Sequence, residues 1–501
     1  MRSILFPLTD IDASGVDMIP LTTGSLFTTP VDVQAVEDAL SRVTTKWKLL
    51  AGRMEWDHAV RSLFPKIIIF RSECSRCIST LQASRWTIRI PLDSTPPSYH
   101  RYTFTSTTSL LPAPFAIPDL MPGSAQIIPM PPISHFRDSS TPSTVAGLAK
   151  SKAPLISVKV STFVDCQVIG VTVPHGVFDA IGLGLILKAI DAELSGREWS
   201  IPEVTEKNTL ASRIESLSLD QSGNSPLEAL EMERRRLGTG SSKSYWDFGR
   251  LVFSLVKEKV WHGCEIKEIF IGNEVFAKIV KEVKEEVQRE TGGREWVSTA
   301  DILVAWTQKV IYGAEITSTN QLLTTTVWDI RSLLSTTPSS SESIPGNPHS
   351  TSLLSYPHNA LSLLLLPSIP VSSLHSTSLF TLALQSRRFL SSHRTLPSLS
   401  ESLTWASSTH PVPARRSGTD SLNISNQVLA GLTGMTWGGE EAERGWWIWA
   451  GEGVMDHCIS WNKVHDGWVG VGSMRRERWE AVERELERMV EEKGGEGDGE
   501  K

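Results

Sequence analysis

The sequence predicts an α/β protein of two domains, and three observations lead there. From Ile156 to Val173 the chain is rich in Val, Ile and Thr, with a break at Asp165-Cys166, which reads as two strands with the second ending at Pro174. From Asp179 to Leu194 the residues Ile181, Leu185, Leu187, Ile190 and Leu194 recur with little turn chemistry, which reads as a helix. The same pairing returns in the second half, with Ile266 to Ile271 as a strand and Asn273 to Thr291 as a charged amphipathic helix. A chain of 501 residues exceeds one hydrophobic core, so two domains are the default.

The remaining elements follow in order. Behind Pro30, a first helix from about Asp32 to Lys48 sets Val36, Ala39, Leu40, Val43 and Trp47 on one face, expected to pack against a sheet. Residues 94–154 are crowded with Pro, Ser and Thr and read as long loops. Residues 200–240 mix Ser, Glu and Gly and read as an exposed crossover; within them Arg234-Arg-Arg236 is a solvated helix face or, less simply, a phosphate contact. Segments 335–352 and 391–420, rich in Ser, Thr and Pro, read as insertions. About half of the 17 tryptophans follow residue 400, among them Trp446, Trp447, Trp449, Trp461, Trp468 and Trp479, expected mostly as core between strands with one or two left to line an aromatic pocket. A closing helix from about Arg475 aligns Trp479, Val482, Leu486 and Val490 before a Gly/Glu tail. The division predicted is a first lobe over 1–205, a crossover over 206–240, a second lobe over 241–490 and a disordered tail over 491–501.

Composition narrows the function classes. Apolar residues make up 40% and charged residues 21%, an ordinary globular balance. No run approaches the ~18 uncharged apolar residues of a membrane span, since Leu361 to Leu366 stops at Pro367. The N-terminal Met1-Arg-Ser-Ile-Leu-Phe-Pro-Leu stops too soon for a signal peptide, and five cysteines, an odd number, suit reduced thiols; a cytoplasmic monomer is expected. Cys74-Ser-Arg-Cys77 has the spacing of half a zinc site, but Cys166, Cys264 and Cys458 stand singly and no second pair closes a tetrahedron, so no metal is expected. A net charge of −7 argues against a nucleic-acid surface, and any phosphate binding must come from a local basic patch.

The chemistry is concentrated in Val171-Thr-Val-Pro-His175-Gly-Val-Phe-Asp179-Ala-Ile-Gly182, where an apolar strand gives way to a helix. Taken alone, His-x-x-x-Asp is weak, because twelve histidines yield about half a match by chance. A plain structural reading has His175 packed in a strand–helix corner and Asp179 capping the helix. The functional reading makes His175 the catalytic residue: an imidazole accepts and returns a proton near neutral pH, and the small Gly176 beside it leaves room for a substrate.

Several segments together resemble the BAHD acyltransferases, especially the fungal, trichothecene acetyltransferase-like branch of specialised metabolism. His175-x-x-x-Asp179 followed by a small residue is similar to the family signature. Pro7-Leu-Thr-Asp-Ile-Asp12, Ala39 to Arg53 with its Leu-Ala-Gly-Arg ending, Val297 to Trp306, Val327-Trp-Asp-Ile-Arg331 and His358-Asn359-Ala360 fall in the family's order. The second signature, Asp-Phe-Gly-Trp-Gly, is matched best by Thr436-Trp437-Gly438-Gly439 after Ile424 to Gln427, with Thr436 where the family has aspartate. That loop is regarded as mainly structural in the family, so the change questions local stability and coenzyme A binding more than the base. Asp247-Phe248-Gly249 is a nearer literal match but follows His175 too closely and reads as a decoy. Pro174 before the histidine and Ala180 after the aspartate depart from the His-His-x-x-x-Asp-Gly of peptide-synthetase condensation domains.

The resemblance implies two chloramphenicol acetyltransferase-like domains with mixed sheets and a central channel, entered by acyl-coenzyme A from one side and by a small alcohol or amine from the other. It implies His175 as general base in a ternary complex, with no bound cofactor and acyl-coenzyme A as co-substrate. Asp179 would point toward Arg331 as a structural pair. Ser425, Asn426 and Gln427 are candidates for the acceptor or oxyanion side, and Thr436, Trp437 and Gly438 form the second-motif loop. Two alternatives stay open: a degenerate metabolite-binding relative, and an acyl-coenzyme A hydrolase, although no Gly-x-Ser-x-Gly elbow is present.

Overall fold

The structure is a computed structural model. It describes residues 2–8, 19–56, 86–93, 96, 98–203, 208–210, 212–214, 262–336, 353–399, 418–439, 444–450 and 458–494. The first half contributes strands β1 (Ser3–Pro7), β2 (Pro20–Phe27), β3 (Arg53–Trp56), β4 (Trp86–Pro91), β5 (Thr103–Thr108), β6 (Ala125–Pro129), β7 (Ser157–Thr162) and β8 (Gln167–Pro174). The second contributes β9 (Glu265–Gly272), β10 (Gln321–Asp329), β11 (Leu361–Leu365), β12 (Ile369–Pro370), β13 (Thr419–Asn426), β14 (Gly445–Ala450), β15 (Cys458–Val464) and β16 (Gly467–Met474). The described α-helices are α1 (Val33–Lys46), α2 (Val145–Ser151), α3 (Ala180–Leu194), α4 (Asn273–Thr291), α5 (Thr299–Tyr312), α6 (Arg331–Thr336), α7 (Leu379–His393) and α8 (Arg476–Gly494).

Two mixed sheets dominate, and each borrows a strand from the opposite half. The first runs β14-β2-β8-β7-β5, so its edge strand β14 comes from near the C-terminus. The second runs β11-β10-β13-β15-β16-β9-β6, with β12 on β10, so its edge strand β6 comes from the first half. A small sheet, β1-β4-β3, lies apart. Strand β8 is buried at every residue, as expected of a continuous apolar run in the middle of a covered sheet. Its Gly170 admits a close crossing: a Cβ there would stand 1.9 Å from the Phe136 carbonyl oxygen.

The helices begin where the sequence supplies caps. Asp32 accepts from the N–H groups of Gln34 and Ala35 at the start of α1, and Ser298 and Asp301 form a reciprocal capping box on α5. Helix α1 buries Val36, Ala39, Leu40, Val43 and Trp47 in the first-half core, where it lies beside α3. The six late tryptophans Trp446, Trp447, Trp449, Trp461, Trp468 and Trp479 are all buried core.

Two expectations need correction. Residues 94–154 are more than loops: they hold β5, β6 and α2, and β6 completes the second sheet by pairing with β9. Helix α7 runs to His393, into the expected 391–420 insertion. Most of the crossover, with Arg234 to Arg236, and most of 335–352 lie outside the described residues, as do Asp247 to Gly249, Cys74 and Cys77; the described part of the crossover buries Leu210 and Ile214 in the second-half core.

One face of the second sheet carries Ile269, Ile271, Ile424 and Ile459 into the second-half core. The register Ser425, Ser460, Val471, Glu268, Ile128 runs across five neighbouring strands on the other face. Val471 and Ile128 from that row belong to the first-half core, so this face is turned to the seam between the halves. Burial raises the Glu268 carboxyl well above the usual carboxylate range, with the Trp447 indole pulling it partly back.

Candidate active site

His175 immediately follows β8, where its N–H donates to the Ile19 carbonyl at 2.9 Å and fixes the backbone beside the end of β2. The ring is half-buried. Its Nδ1 lies 3.2 Å from the Phe178 carbonyl oxygen. A carbonyl only accepts, so in the neutral ring Nδ1 carries the proton and Nε2 the lone pair. The local turn Pro174 to Phe178 thus selects the tautomer a general base needs.

Asp179 is fully buried and does two jobs. Its carboxylate caps α3 by accepting from the Gly182 N–H at 2.9 Å. It also receives the Arg331 guanidinium at 2.8 and 3.0 Å and the Ala360 N–H at 3.2 Å. Arg331, 1% exposed, further donates to the Tyr356 carbonyl at 2.9 Å, the His358 carbonyl at 2.6 Å and the Asp329 carboxylate at 2.8 Å. Burial works against its charge, but Asp179 and Asp329 more than offset this and raise its pKa. Each of the three guanidinium nitrogens is engaged by the protein itself, which makes the cation a fixture of the fold rather than a hand for a ligand.

The segment 356–360 closes the arrangement, and its contribution was not assigned from sequence. The Asn359 side-chain amide donates to the His175 carbonyl at 2.8 Å, and His358 stacks on Phe6 with ring centroids 4.5 Å apart. Burial holds the His358 pKa down to about 3, so that ring is neutral and donates from Nδ1 to the Val177 carbonyl at 3.1 Å. His358 is sealed in the core, whereas His175 is half-open. The signal was present as the contiguous His-Asn-Ala triplet, but only the packed structure shows what each residue holds.

The other predicted residues separate. Ser425 lies at the seam-facing end of β13, opposite Ser460. Asn426 is exposed and its side-chain oxygen accepts from the Val428 N–H at 3.1 Å, a local turn contact rather than one aimed at a substrate. Gln427 donates its N–H to the Trp461 carbonyl at 2.8 Å and has a buried Oε1 without a protein partner. Thr436, Trp437 and Gly438 pack along the far end of α3, where Asp191 accepts from Thr436 and Trp437. Asp191 was missed because its partners lie 245 and 246 residues away. Among the described residues no group of three or more His, Cys, Asp or Glu could hold a metal ion, and no helix is long and apolar enough to cross a membrane.

With this geometry in view, comparison with known proteins is informative. No protein-family model matches the chain. Acetyltransferase BOT5 of Botryotinia fuckeliana is 21% identical over 199 residues, 38% of this chain and 34% of that protein. Acetyltransferase adrJ of Penicillium roqueforti is 25% identical over 223 residues, 44% of this chain and 40% of that protein. The chain therefore spans 34% to 40% of these relatives' own length. In fold, it resembles TRI101 of F. graminearum, solved with coenzyme A and T-2 mycotoxin, at a TM-score of 0.61 over 96% of both chains with 13% identity. Vinorine synthase gives a TM-score of 0.53 over 98% of this chain and 94% of that one, also at 13% identity. The chain thus shares the fold of TRI101 and vinorine synthase and is similar in sequence, over part of its length, to fungal acetyltransferases.

Proposed function

We propose that this protein is an acyl-coenzyme A-dependent acyltransferase that transfers an acyl group, in the first instance acetyl, to a hydroxyl or amine of a small specialised metabolite. The observation that carries the proposal is the His175 ring: half-buried, Nδ1–H committed to the Phe178 carbonyl, and Nε2 left as base. Support comes from relatives named acetyltransferases and from the TRI101 fold neighbour that holds coenzyme A and a mycotoxin.

A thioester carbonyl needs little activation, but a neutral alcohol is a poor nucleophile at pH 7 and gains most from a base. Nε2 takes the hydroxyl proton as the oxygen attacks the thioester carbon. The tetrahedral oxyanion then collapses, the carbon–sulfur bond breaks, and the imidazolium returns its proton to the departing thiolate. A thiol of pKa near ~8.5 leaves readily, so no acyl-enzyme is required. Asp179 and Arg331 keep the turn and the second half in register and take no part in proton transfer. On this reading the chain works as a cytosolic monomer, with the two substrates meeting at the seam.

Thiol release from acetyl-coenzyme A, followed with and without a panel of hydroxylated metabolites, tests the proposal. Release that depends on an acceptor is the predicted result. Release without any acceptor makes the protein a hydrolase, and no release with any donor or acceptor makes it a binding protein; either result overturns the assignment.

A further inference from the structure

Helix α3 is fastened to the second half at both ends. At its start Asp179 holds Arg331, and twelve residues on, about 18 Å along the axis, Asp191 holds the second-motif loop. Between them the chain leading to that loop crosses the helix so closely that a Cβ on Gly184 would stand 1.9 Å from the Ala430 carbonyl oxygen.

Asp191 is 6% exposed. One of its oxygens accepts from the Trp437 N–H at 2.6 Å and from the Thr436 N–H and hydroxyl at 3.1 Å each, and the other pairs with Arg197. The loop it gathers is unusual. Trp437 adopts φ +50°, a left-handed conformation uncommon outside glycine, and its side chain is 1% exposed in the first-half core. Gly434 and Gly438 also have positive φ, at 80° and 75°. Thr436, where the resembling motif has aspartate, donates its hydroxyl to Asp191, so a carboxylate is present at this junction but stands on the helix.

The segment 431–433 that leads into this loop runs beside two exposed lysines. Lys188 of α3 lies over Gly431, where an added Cβ would be 2.4 Å from its Nζ. Lys463, whose carbonyl accepts from Thr433 at 2.6 Å, directs its Nζ to the neutral Asn273 side chain at 3.0 Å. Neither lysine has a carboxylate partner among the described residues. In a chain of net charge −7 this is the kind of local patch that a polyphosphate needs.

We propose that Asp191 is the positioning residue of the 434–439 loop, standing in from α3 for the motif's missing aspartate and keeping this loop, with the 431–433 segment that leads into it past Lys188 and Lys463, in shape for the coenzyme A thioester. The donor's identity rests on the function proposed above. The anchoring does not.

The test pairs a readout on the protein alone with one on turnover. In Asp191→Asn, the Thr436 and Trp437 amides should exchange with solvent at least about tenfold faster, since hydrogen bonds to a charge are lost. KM for acetyl-coenzyme A should rise by about tenfold while kcat stays within about threefold, the pattern of lost donor binding rather than lost chemistry. Adding Thr436→Asp to Asp191→Asn returns the carboxylate to the loop, where the carboxamide now on the helix can donate to it, and should restore both readouts. Thr436→Asp alone sets two carboxylates together and should worsen them. If Asp191→Asn does not fold, Thr436→Val, which removes one of the three donors, gives the same readouts in smaller measure. Unchanged exchange overturns the anchor even where acetyl transfer persists. Faster exchange with KM unmoved overturns the donor-side role. Wild-type protein that transfers nothing sinks the function proposal and leaves the exchange result to judge the anchor.

Discussion

Asp179 is a carboxylate with no exposure that accepts from the Gly182 and Ala360 amides and from Arg331, and Arg331 is almost as completely sealed. Desolvating such a pair offsets much of its mutual attraction, so its net contribution to stability is modest. Removing one member is another matter. Asp179→Ala should destabilise the protein by ~3–5 kcal/mol, because it strands the guanidinium. Combining it with Arg331→Met should recover part of that loss. Denaturant unfolding of the three variants checks this, and a single variant with an unchanged midpoint would remove the pair from the structural account. At this scale His175 and Asp179 were legible because their relationship is local, four residues across a strand–helix turn. Arg331 was reachable only through the family resemblance. Asp191 was not legible at all: an aspartate inside a helix has no local signature, and what it holds is a loop from the other half.

Helix α3 shows how an element can be readable while its surroundings are not. Its extent, its aspartate cap and its apolar faces follow from Asp179 to Leu194. Its glycines do not explain themselves in sequence. Gly182 and Gly184 lower helix propensity, yet a Cβ at either would stand 1.9 Å from a carbonyl oxygen, of Pro357 and Ala430 respectively. Gly184→Ala in an open helix would stabilise by about 1 kcal/mol. Here it should instead destabilise by about 1–3 kcal/mol, because backbone must move to admit the methyl group. The sign of the shift in the unfolding midpoint decides between packing and propensity. Strands β5 and β6 were hidden for a related reason. Thr103–Thr108 has no apolar alternation, and Ala125–Pro129 finds its partner β9 more than a hundred residues away. Proline and serine around them pointed to loop, and long-range pairing prevailed over that local composition.

At the scale of the whole molecule, the halves are more interwoven than a linear division into 1–205 and 241–490 conveys. Strand β14 completes the first sheet and β6 the second, so the seam is bounded by chain from both halves on each side. Trp446 and Ile448 of β14 and Trp437 of the second-motif loop pack into the first-half core, while His358 from the second half stacks on Phe6 from the first. Such exchange makes the seam a built surface rather than a contact between separately folded bodies. The strand end that presents His175 is likewise tied to both halves, through the Ile19 carbonyl and the Asn359 amide. The α/β class was legible from periodicity; the exchange of strands was not, since nothing local marks a strand as belonging to the distant sheet.

The central claim is that the His175 imidazole, and not the fold around it, supplies the proton transfer. It is tested most directly by the acceptor-dependent release of thiol from acetyl-coenzyme A by His175→Ala, measured on protein whose melting temperature matches the wild type. The account predicts turnover lowered by at least about 10²-fold, the least that a general base usually contributes. A correctly folded His175→Ala protein that keeps most of the wild-type rate would contradict it.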